Sequence, residues 1–472
     1  MSDGPVLSAR HLDEEALQTI HETSLTILDE GGIAVGHEGA RERLAEHGAD
    51  AEDDVVTLPP EMVESALDAA PSSFTLHARN PDNDVVVGET PVYAPAYGAS
   101  NVLTLDGTRR NSTLDDYERL TKLVQSVDAI NCTGFSVCEV SGVDSAAKPY
   151  EMLQRSLLLT DKPVMGDTFG YDRAEASLDL VSIAVEDDSL SKPYVAGQIT
   201  PVSPRRLSGH MAGGLLAYAE RQQPLVFASA VMAGATGPAT MAGTFALANA
   251  EVLFGITMAQ LVSEGVPVVY GTPAANFDMH ATSLATGSPE GALATAFSGA
   301  MADFYGLPSR AGGCLTDAKT IDDQAGSESA THLAATVAAD TDFVLHAAGM
   351  LEAYATVSPA KFVLDCERIQ AAQRLQSGYE VSEETLALDL ILDTEPGGDF
   401  LSERHTLTHA REEHFTPDVA DRTAYEQWDR DGQRSAGQRG ADRARELLDD
   451  YDRPPIDEAV KADIEAYVDE HV

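Results

Sequence analysis

Polar side chains that could bind or transform a small molecule are concentrated between Gly306 and Glu352. A small-residue segment at 309–315 reads as a strand that leads into a polar turn, and an apolar segment at 343–347 ends on His346. The turn carries seven polar residues: Thr316, Asp317, Lys319, Asp322, Asp323, Gln324 and Glu328. Polar groups just past the ends of two successive strands are typical of an α/β active site. A solvated loop followed by a helix N-cap would explain the same carboxylates, so both interpretations stay open at this point.

The elements that must position these residues alternate regularly between strand and helix. Eight apolar or β-prone segments are predicted as strands: 92–96, 129–137, 163–169, 194–200, 224–232, 267–273, 309–314 and 343–347. Each is followed by a predicted helix: 114–127, 150–160, 174–185, 207–222, 239–263, 289–305, 324–339 and 366–376. Eight such units predict an α/β fold of the (β/α)8 TIM-barrel type. An open doubly wound sheet is the alternative, and it has less support because no GxGxxG follows an early strand.

Two flanking regions differ from this alternating pattern. Residues 1–80 are predicted as a helical lead-in, and residues 81–380 as the barrel. Residues 381–472 are dense in Arg, Asp and Glu and predict an acidic helical C-terminal extension that contains the single tryptophan, Trp428. This extension would pack on the barrel or on a second subunit, and we expect a homo-oligomer.

The charge balance restricts the possible partners. The 472-residue chain has 31 Lys and Arg against 77 Asp and Glu, a formal net charge of −46. Phosphates would be repelled, which argues against nucleic acid and against an anionic membrane surface as partners. No run of about 18 apolar residues predicts a membrane span. An acidic surface with only seven lysines suits a salt-rich, cytoplasmic, halophilic setting, although an ordinary acidic enzyme is the alternative.

Catalytic groups of a barrel lie on the loops after its strands, and this position selects the candidate residues. They are Tyr97, Phe169, Tyr270, Asp317, Lys319, Gln324, His346 and Glu352. Aromatic faces combined with carboxylates suit a cationic substrate. The loops have no His triad for zinc, no nucleophile elbow and no phosphate-binding glycine loop, so no metal site is predicted. Core packing is the alternative for each aromatic residue and for His346.

Three segments carry a resemblance to a known family. They read ATGPATMAGTFALANAEVLFGITMAQLVSEGVPVVYG, GSPEGALATAFSGAMADFYGLPSRAGGCLTDAKTIDDQAGSES and HAAGMLE. Together they resemble the trimethylamine methyltransferase family, which comprises corrinoid-dependent methylamine methyltransferases and relatives without pyrrolysine, including glycine betaine methyltransferases. The opening EEALQTIHETSLTILDEGGI, the segment TDKPVMG and Trp428 are similar too, so the resemblance extends over most of the chain.

The resemblance implies a (β/α)8 barrel, in agreement with the strand count, and a methyl transfer. The methyl group would leave an amine nitrogen for the Co(I) of a corrinoid (cobalamin). A separate corrinoid protein would carry that cofactor to the barrel mouth, so this chain would bind none directly. Family members that act on trimethylamine activate this poor leaving group with pyrrolysine, which is absent here. A quaternary amine departs as a neutral amine without such help, so the implied substrate is a methylated, quaternary amine such as glycine betaine.

The predicted residues then fall into two groups. Asp317, Gln324, His346 and Glu352 form the predicted catalytic group, and Tyr97, Tyr270, Phe169 and Lys319 the predicted substrate-binding group. The tyrosines would face the cation, Asp317 and Glu352 would balance its charge, and His346 and Gln324 would hold its polar end. Lys319 would bind a carboxylate or pair with Asp317, and the ion pair is favoured.

Three other functions stay open from the sequence. One is a trimethylamine-type methyltransferase that works without pyrrolysine. Another is a non-catalytic barrel that binds quaternary amines. A third is a hydrolase or lyase that uses Asp317 and Lys319 as acid and base.

Overall fold

The computed structural model describes residues 7–8 and 12–472, and a curled sheet of seven parallel strands lies at its centre. The strands are β1 (Val92–Tyr93), β2 (Val164–Gly166), β3 (Val195–Ile199), β4 (Leu225–Phe227), β5 (Val268–Gly271), β6 (Ser309–Gly312) and β7 (Phe343–Leu345). Their order across the sheet is β1-β7-β6-β5-β4-β3-β2, with every pair parallel. The fold is therefore mixed α/β, and seven of the eight predicted strands are confirmed.

The predicted strand at 129–137 does not form. Its backbone still lies between the two edge strands, because Asn131 N donates to Tyr93 O at 2.9 Å and Thr133 N donates to Pro163 O at 2.9 Å. The side chain of Asn131 competes for the ladder, since its Oδ1 accepts from Tyr93 N at 3.1 Å. The sheet is thus a half-barrel of seven strands, where the sequence predicts eight.

Eight helices follow the strand segments in the predicted order. They are α1 (Leu114–Gln125), α2 (Lys148–Leu159), α3 (Tyr171–Val185), α4 (Gly209–Glu220), α5 (Met241–Val262), α6 (Pro289–Tyr305), α7 (Asp323–Ala338) and α8 (Pro359–Gln376). Only α8 differs much from prediction, since it begins at Pro359 and not at residue 366. Ser358 caps it by accepting from Lys361 N, and proline suits the first helical position.

The helical lead-in packs on the sheet domain. Its helices are Glu14–Thr26, the π-helical turn Ile27–Gly31, Glu38–Glu46 and Pro60–Ala69. Strand Ile33–Val35 pairs in parallel with Arg206–Leu207, which joins the lead-in to the loop after β3. The other strands that precede β1 are Asp50–Glu52, Val55–Thr57, Phe74–Leu76 and Val85–Val87, and a 3-10 turn lies at Pro81–Asn83.

Short strands lie in the loops of the sheet domain, and helices form the C-terminal extension. The loop strands are Asn101–Leu103, Arg109–Asn111, Met232–Ala233, Ala275–Asp278, Ser283–Ala285, Met350–Leu351 and Thr356–Val357. The C-terminal helices are Glu383–Leu386, Leu388–Asp393, Arg404–Glu413, Tyr425–Arg430, Ala436–Asp449 and Glu458–His471. Ala436–Asp449 packs against α8, and Glu458–His471 packs against α2 and α3, so the end of the extension covers the chain's own helices.

Helix α5 lies deep in the core. It is the only helix in the described part of the chain that is long and apolar enough to cross a membrane by length and composition. However, 89% of its most apolar window is buried inside the fold. This burial explains its apolar character as that of a central core helix.

Candidate functional site

Three side chains surround His346 near the carboxyl ends of three neighbouring strands. His346 directly follows β7, Tyr97 follows β1, Arg310 lies in β6, and Tyr354 lies in the loop after β7. The His346 ring centroid is 4.6 Å from that of Tyr354 and 6.2 Å from that of Tyr97. Arg310 Nη2 donates to His346 Nδ1 at 3.2 Å. We call these four residues the mouth cluster.

Strand alternation explains how Arg310 reaches this cluster. Tyr270 pairs with Ser309 and Gly271 pairs with Arg310, so Gly271 and Arg310 share one face of the sheet. A Cβ atom on Gly271 would lie 2.8 Å from Arg310 Cδ, so the missing side chain leaves the space that the arginine occupies. Tyr270, on the other face, contacts helices α5 and α6 through Asn249 and Tyr305. Arg310 therefore projects into the inside of the curled sheet.

His346 is a neutral imidazole in this site. Burial, and after it the positive charge of Arg310, hold the pKa of His346 well below its usual range. Because the guanidinium can only donate, Nδ1 must be the acceptor, which leaves the proton on Nε2. The site therefore contains one cation, Arg310, since burial lowers the pKa of that guanidinium only to about 10.

The backbone around the cluster is strained. His346 has a φ of 62°, and three successive residues, Glu352, Ala353 and Tyr354, have φ values of 55°, 47° and 74°. Non-glycine residues rarely adopt this left-handed conformation, and strained backbone is concentrated at functional sites. Here it positions the Tyr354 ring against His346.

The depressed pKa of His346 predicts acid sensitivity. In the unfolded chain the imidazole binds a proton near pH 6.5, whereas the folded chain excludes it. The unfolded state then carries more protons below pH 6.5, so stability falls as pH falls through this range, by up to about 1.4 kcal/mol per pH unit. We expect His346→Gln to flatten the slope of unfolding free energy between pH 6.5 and 5. Urea unfolding over this range checks the slope, with the exposed His210→Gln as a control that leaves it unchanged. An unaltered slope in His346→Gln would contradict the neutral imidazole.

The carboxylates of the polar turn already have hydrogen-bond partners. Asp317 Oδ1 accepts from both the backbone and the hydroxyl of Thr286 at 2.9 Å. Glu328 accepts from Thr316 Oγ1 at 2.6 Å and from exposed Gln324 at 2.8 Å. These bonds tie the loop after β6 to the segment before α6 and to α7. Two roles stay predictions: that of Asp317 as a counter-charge and that of Gln324 as a substrate contact.

Lys319 and Glu352 also have partners within the chain. Lys319 Nζ donates to the backbone carbonyl of Asp317 at 2.7 Å, in place of the ion pair with the Asp317 carboxylate that the sequence favours. Glu352 Oε2 accepts from Arg109 Nε at 2.8 Å and from Thr356 Oγ1 at 2.5 Å. Partial burial raises the pKa of Glu352, but these two hydrogen bonds and the nearby positive charges outweigh it, so the pKa lies below its usual value.

The predicted aromatic residues lie in three different places. Tyr97 belongs to the mouth cluster. Phe169 lies on the rim after β2, where its exposed ring stacks on His210 at 4.2 Å and lies 5.3 Å from the Arg173 guanidinium. Tyr270 is fully buried on the outward face, and its hydroxyl donates to Asn249 Oδ1 at 2.7 Å. Only His346 and Tyr97 of the eight predicted residues lie in the mouth cluster.

Sequence reasoning missed two members of the cluster. Arg310 lies in a segment that reads as a small-residue strand, and its signal is a lone arginine between Ser309 and Ala311. Tyr354 lies two residues beyond Glu352, where the predicted site ends. A charged residue inside a buried strand is rare enough to be a usable signal.

No group of three or more His, Cys, Asp or Glu residues that could hold a metal ion occurs within residues 7–8 and 12–472. The four cysteines are free and buried. Burial raises the pKa of the Cys132 and Cys138 thiols to about 12, which makes them poor metal ligands and nucleophiles.

The chain is similar to proteins of one family over nearly its whole length. Residues 4–471 match the trimethylamine methyltransferase family. A glycine betaine methyltransferase from Desulfitobacterium hafniense (strain Y51) is 40% identical over 97% of this chain and 96% of that protein. A trimethylamine methyltransferase MttB from D. hafniense (strain DSM 10664 / DCB-2) is 30% identical over 97% of this chain and 93% of that protein.

A solved structure shares the fold. The monomethylamine methyltransferase of Methanosarcina barkeri matches with a TM-score of 0.53 and covers 96% of this chain and 90% of that chain. The sequence identity is 12%, so this likeness concerns the arrangement of strands and helices alone.

Proposed function

This chain belongs to the trimethylamine methyltransferase family, and on that premise we propose that it transfers a methyl group from a quaternary amine, such as glycine betaine, to the Co(I) corrinoid of a partner protein. The single observation that carries the proposal is the 40% identity to a glycine betaine methyltransferase along 97% of the chain. The mouth cluster supports it, because aromatic rings suit a quaternary ammonium group.

The reaction balances without an added acid or base. The bond between nitrogen and one methyl carbon breaks, its electron pair stays on nitrogen, and a neutral tertiary amine leaves. Co(I) supplies the electron pair that forms the new bond to the methyl carbon. No proton moves, so the chain has to bind and orient the amine and exclude water.

The mouth cluster is suited to this task. Tyr97 and Tyr354 are partly exposed, so their rings can receive the ammonium group while His346 beneath them is 7% exposed. A neutral His346 adds no positive charge that would repel the donor. In this proposal the partner protein brings the corrinoid to the same mouth.

The position of residues 131–133 suits a closed mouth. Their hydrogen bonds to Tyr93 and Pro163 place the segment between β1 and β2, where an eighth strand would lie. In this proposal the seven strands and this segment together act as the (β/α)8 barrel that the sequence predicts. The carboxyl ends then surround one substrate site.

Methyl transfer can be measured directly with reduced cobalamin in place of the partner's corrinoid. We expect glycine betaine to drive loss of the Co(I) absorbance and the appearance of methylcobalamin when the protein is present. Heat-denatured protein is the control and should give only the background rate. If no amine from a panel of quaternary and tertiary amines gives the change above background, the proposed transfer is contradicted, and amine binding without transfer would indicate a binding protein instead.

A further inference from the structure

Arg310 is a buried cation without a counter-charge. Its side chain is 1% exposed, and it is the largest fully buried side chain among the described residues. None of the salt bridges of the described residues includes it, and its one side-chain hydrogen bond goes to neutral His346. A charge buried without a partner costs several kcal/mol unless something compensates it. A ligand that carries a negative charge would supply that compensation.

The guanidinium also has unused donors. Nε and Nη1 are buried and have no hydrogen-bond partner. These two atoms hold three of the five N–H groups of an arginine. Nη2 has two hydrogens, one parallel to the Nε hydrogen and one parallel to a hydrogen of Nη1. His346 accepts one of these two hydrogens, and the remaining one still forms a parallel pair with its neighbour. A two-pronged edge of the kind that binds carboxylates therefore stays free.

None of the described carboxylates forms a hydrogen bond or a salt bridge with the Arg310 side chain. Its neighbours across the ladder are Gly271 on β5 and Phe343 on β7. Among the described residues, Tyr97 and Tyr354 are the groups whose charge acts on the pKa of Arg310, and Arg310 in turn lowers the pKa of His346. The cation thus lies among glycine, an aromatic core residue and the rings of the mouth cluster.

We infer that Arg310 binds the carboxylate of the methyl donor and thereby restricts the donors to betaines, which carry a quaternary ammonium and a carboxylate on one small molecule. This inference rests on the proposed function, because it names the class of donor for the same site. His346 acts as a positioning residue, since it holds Nη2 and leaves the free edge of the guanidinium to the ligand.

The same arginine explains how donors without a carboxylate are refused. Trimethylamine in its protonated form, choline and tetramethylammonium all bring a positive charge to a site that already holds one. Without a carboxylate, nothing offsets that repulsion in the low dielectric of the buried site. The site therefore discriminates between donors by their charge pattern.

Calorimetry with two ligands of similar size tests the inference without any corrinoid. We expect the wild-type protein to bind glycine betaine about 100-fold more tightly than choline, as two charge-assisted hydrogen bonds imply. Arg310→Met should weaken glycine betaine binding by about 100-fold and leave choline binding within about threefold, or improve it. Arg310→Lys should fall between, because it keeps the charge and loses the two-pronged edge. Arg43→Met, at a partly exposed arginine that pairs with Glu220, is the matched control and should bind as the wild type does.

Thermal unfolding separates this role from a structural one. Removing an uncompensated buried charge should leave the unfolding midpoint of Arg310→Met equal to or above that of the wild type. A lower midpoint, equal loss of both ligands, or unchanged glycine betaine binding would each overturn the inference. Methyl transfer from glycine betaine that survives Arg310→Met would overturn the inference but not the proposed function. Arg310-dependent binding of glycine betaine without any methyl transfer would contradict the proposed function but not the role of Arg310 in binding the carboxylate.

Discussion

Replacing Asp365 with alanine should destabilise the protein by about 3–5 kcal/mol, the usual cost of leaving one half of a buried ion pair alone. Asp365 on α8 is fully buried and accepts from Lys361 Nζ at 2.6 Å, from Arg368 Nη1 at 2.5 Å and from Gly349 N at 2.9 Å. Without it, the buried Lys361 ammonium would keep only the Cys314 carbonyl and the Ser329 hydroxyl as neutral partners.

The unfolding free energy in urea measures this cost. The double variant Lys361→Met/Asp365→Leu removes both charges and should recover most of the loss. Asp418→Ala, at an exposed carboxylate paired with Arg443, is the surface control and should cost less than about 1 kcal/mol. Equal costs for Asp365→Ala and Asp418→Ala would contradict the importance of the buried pair. Because Gly349 lies three residues after His346, Asp365→Ala should also disturb the mouth cluster.

Replacing Tyr354 or Tyr97 with leucine should weaken glycine betaine binding by about 30-fold each, as expected for a desolvated cation–π contact worth about 2 kcal/mol. Both rings flank His346, at 4.6 and 6.2 Å between centroids. Leucine keeps the apolar volume but removes the ring face, so the loss isolates the contact with the cation.

The phenylalanine variants are the matched controls for this prediction. Tyr354→Phe and Tyr97→Phe keep the ring face and lose only the hydroxyl, so they should bind within about threefold of the wild type. Calorimetry with glycine betaine measures all four variants. Phenylalanine variants that bind as weakly as the leucine variants would assign the contact to the hydroxyl groups and reject the cation–π role.

The succession of strands and helices was predictable because each unit has its own apolar segment and its own cap. Helix α6 begins at Pro289 as predicted, since Ser288 caps it and proline suits its first position. The absence of a strand at 129–137 was not predictable in the same way. There the decisive contact is the side chain of Asn131 on the backbone of Tyr93, which no local pattern indicates.

The face on which a strand residue lies was the harder question. Strands buried on both sides are apolar throughout, so the sequence VVYG does not reveal which residues point inward. A shift of one residue decides the matter, and here Gly271 points inward while Tyr270 contacts α5 and α6. Arg310 pairs with Gly271 and therefore also points inward, which brings it into the mouth cluster.

The partners of the polar residues depend on loop conformation, which sequence patterns do not fix. Asp317 bonds to Thr286, and Lys319 to a backbone carbonyl, because the loop after β6 folds back toward α6. Tyr354 reaches His346 through three successive left-handed residues, a conformation that no propensity favours. The position of the candidate site at the strand ends was therefore predictable, whereas two of the four residues in its mouth cluster, Arg310 and Tyr354, were not.

Single-turnover transfer from isotopically labelled glycine betaine tests whether the protein moves a methyl group from a quaternary amine to Co(I). The protein is mixed with stoichiometric Co(I) cobalamin and glycine betaine that carries ¹³C in its N-methyl groups, and the products are followed by NMR. We expect one equivalent of dimethylglycine for each equivalent of labelled methylcobalamin, and the formation of both should depend on the protein. Label that stays entirely on glycine betaine, with Co(I) unconsumed above background, would contradict the proposed transfer.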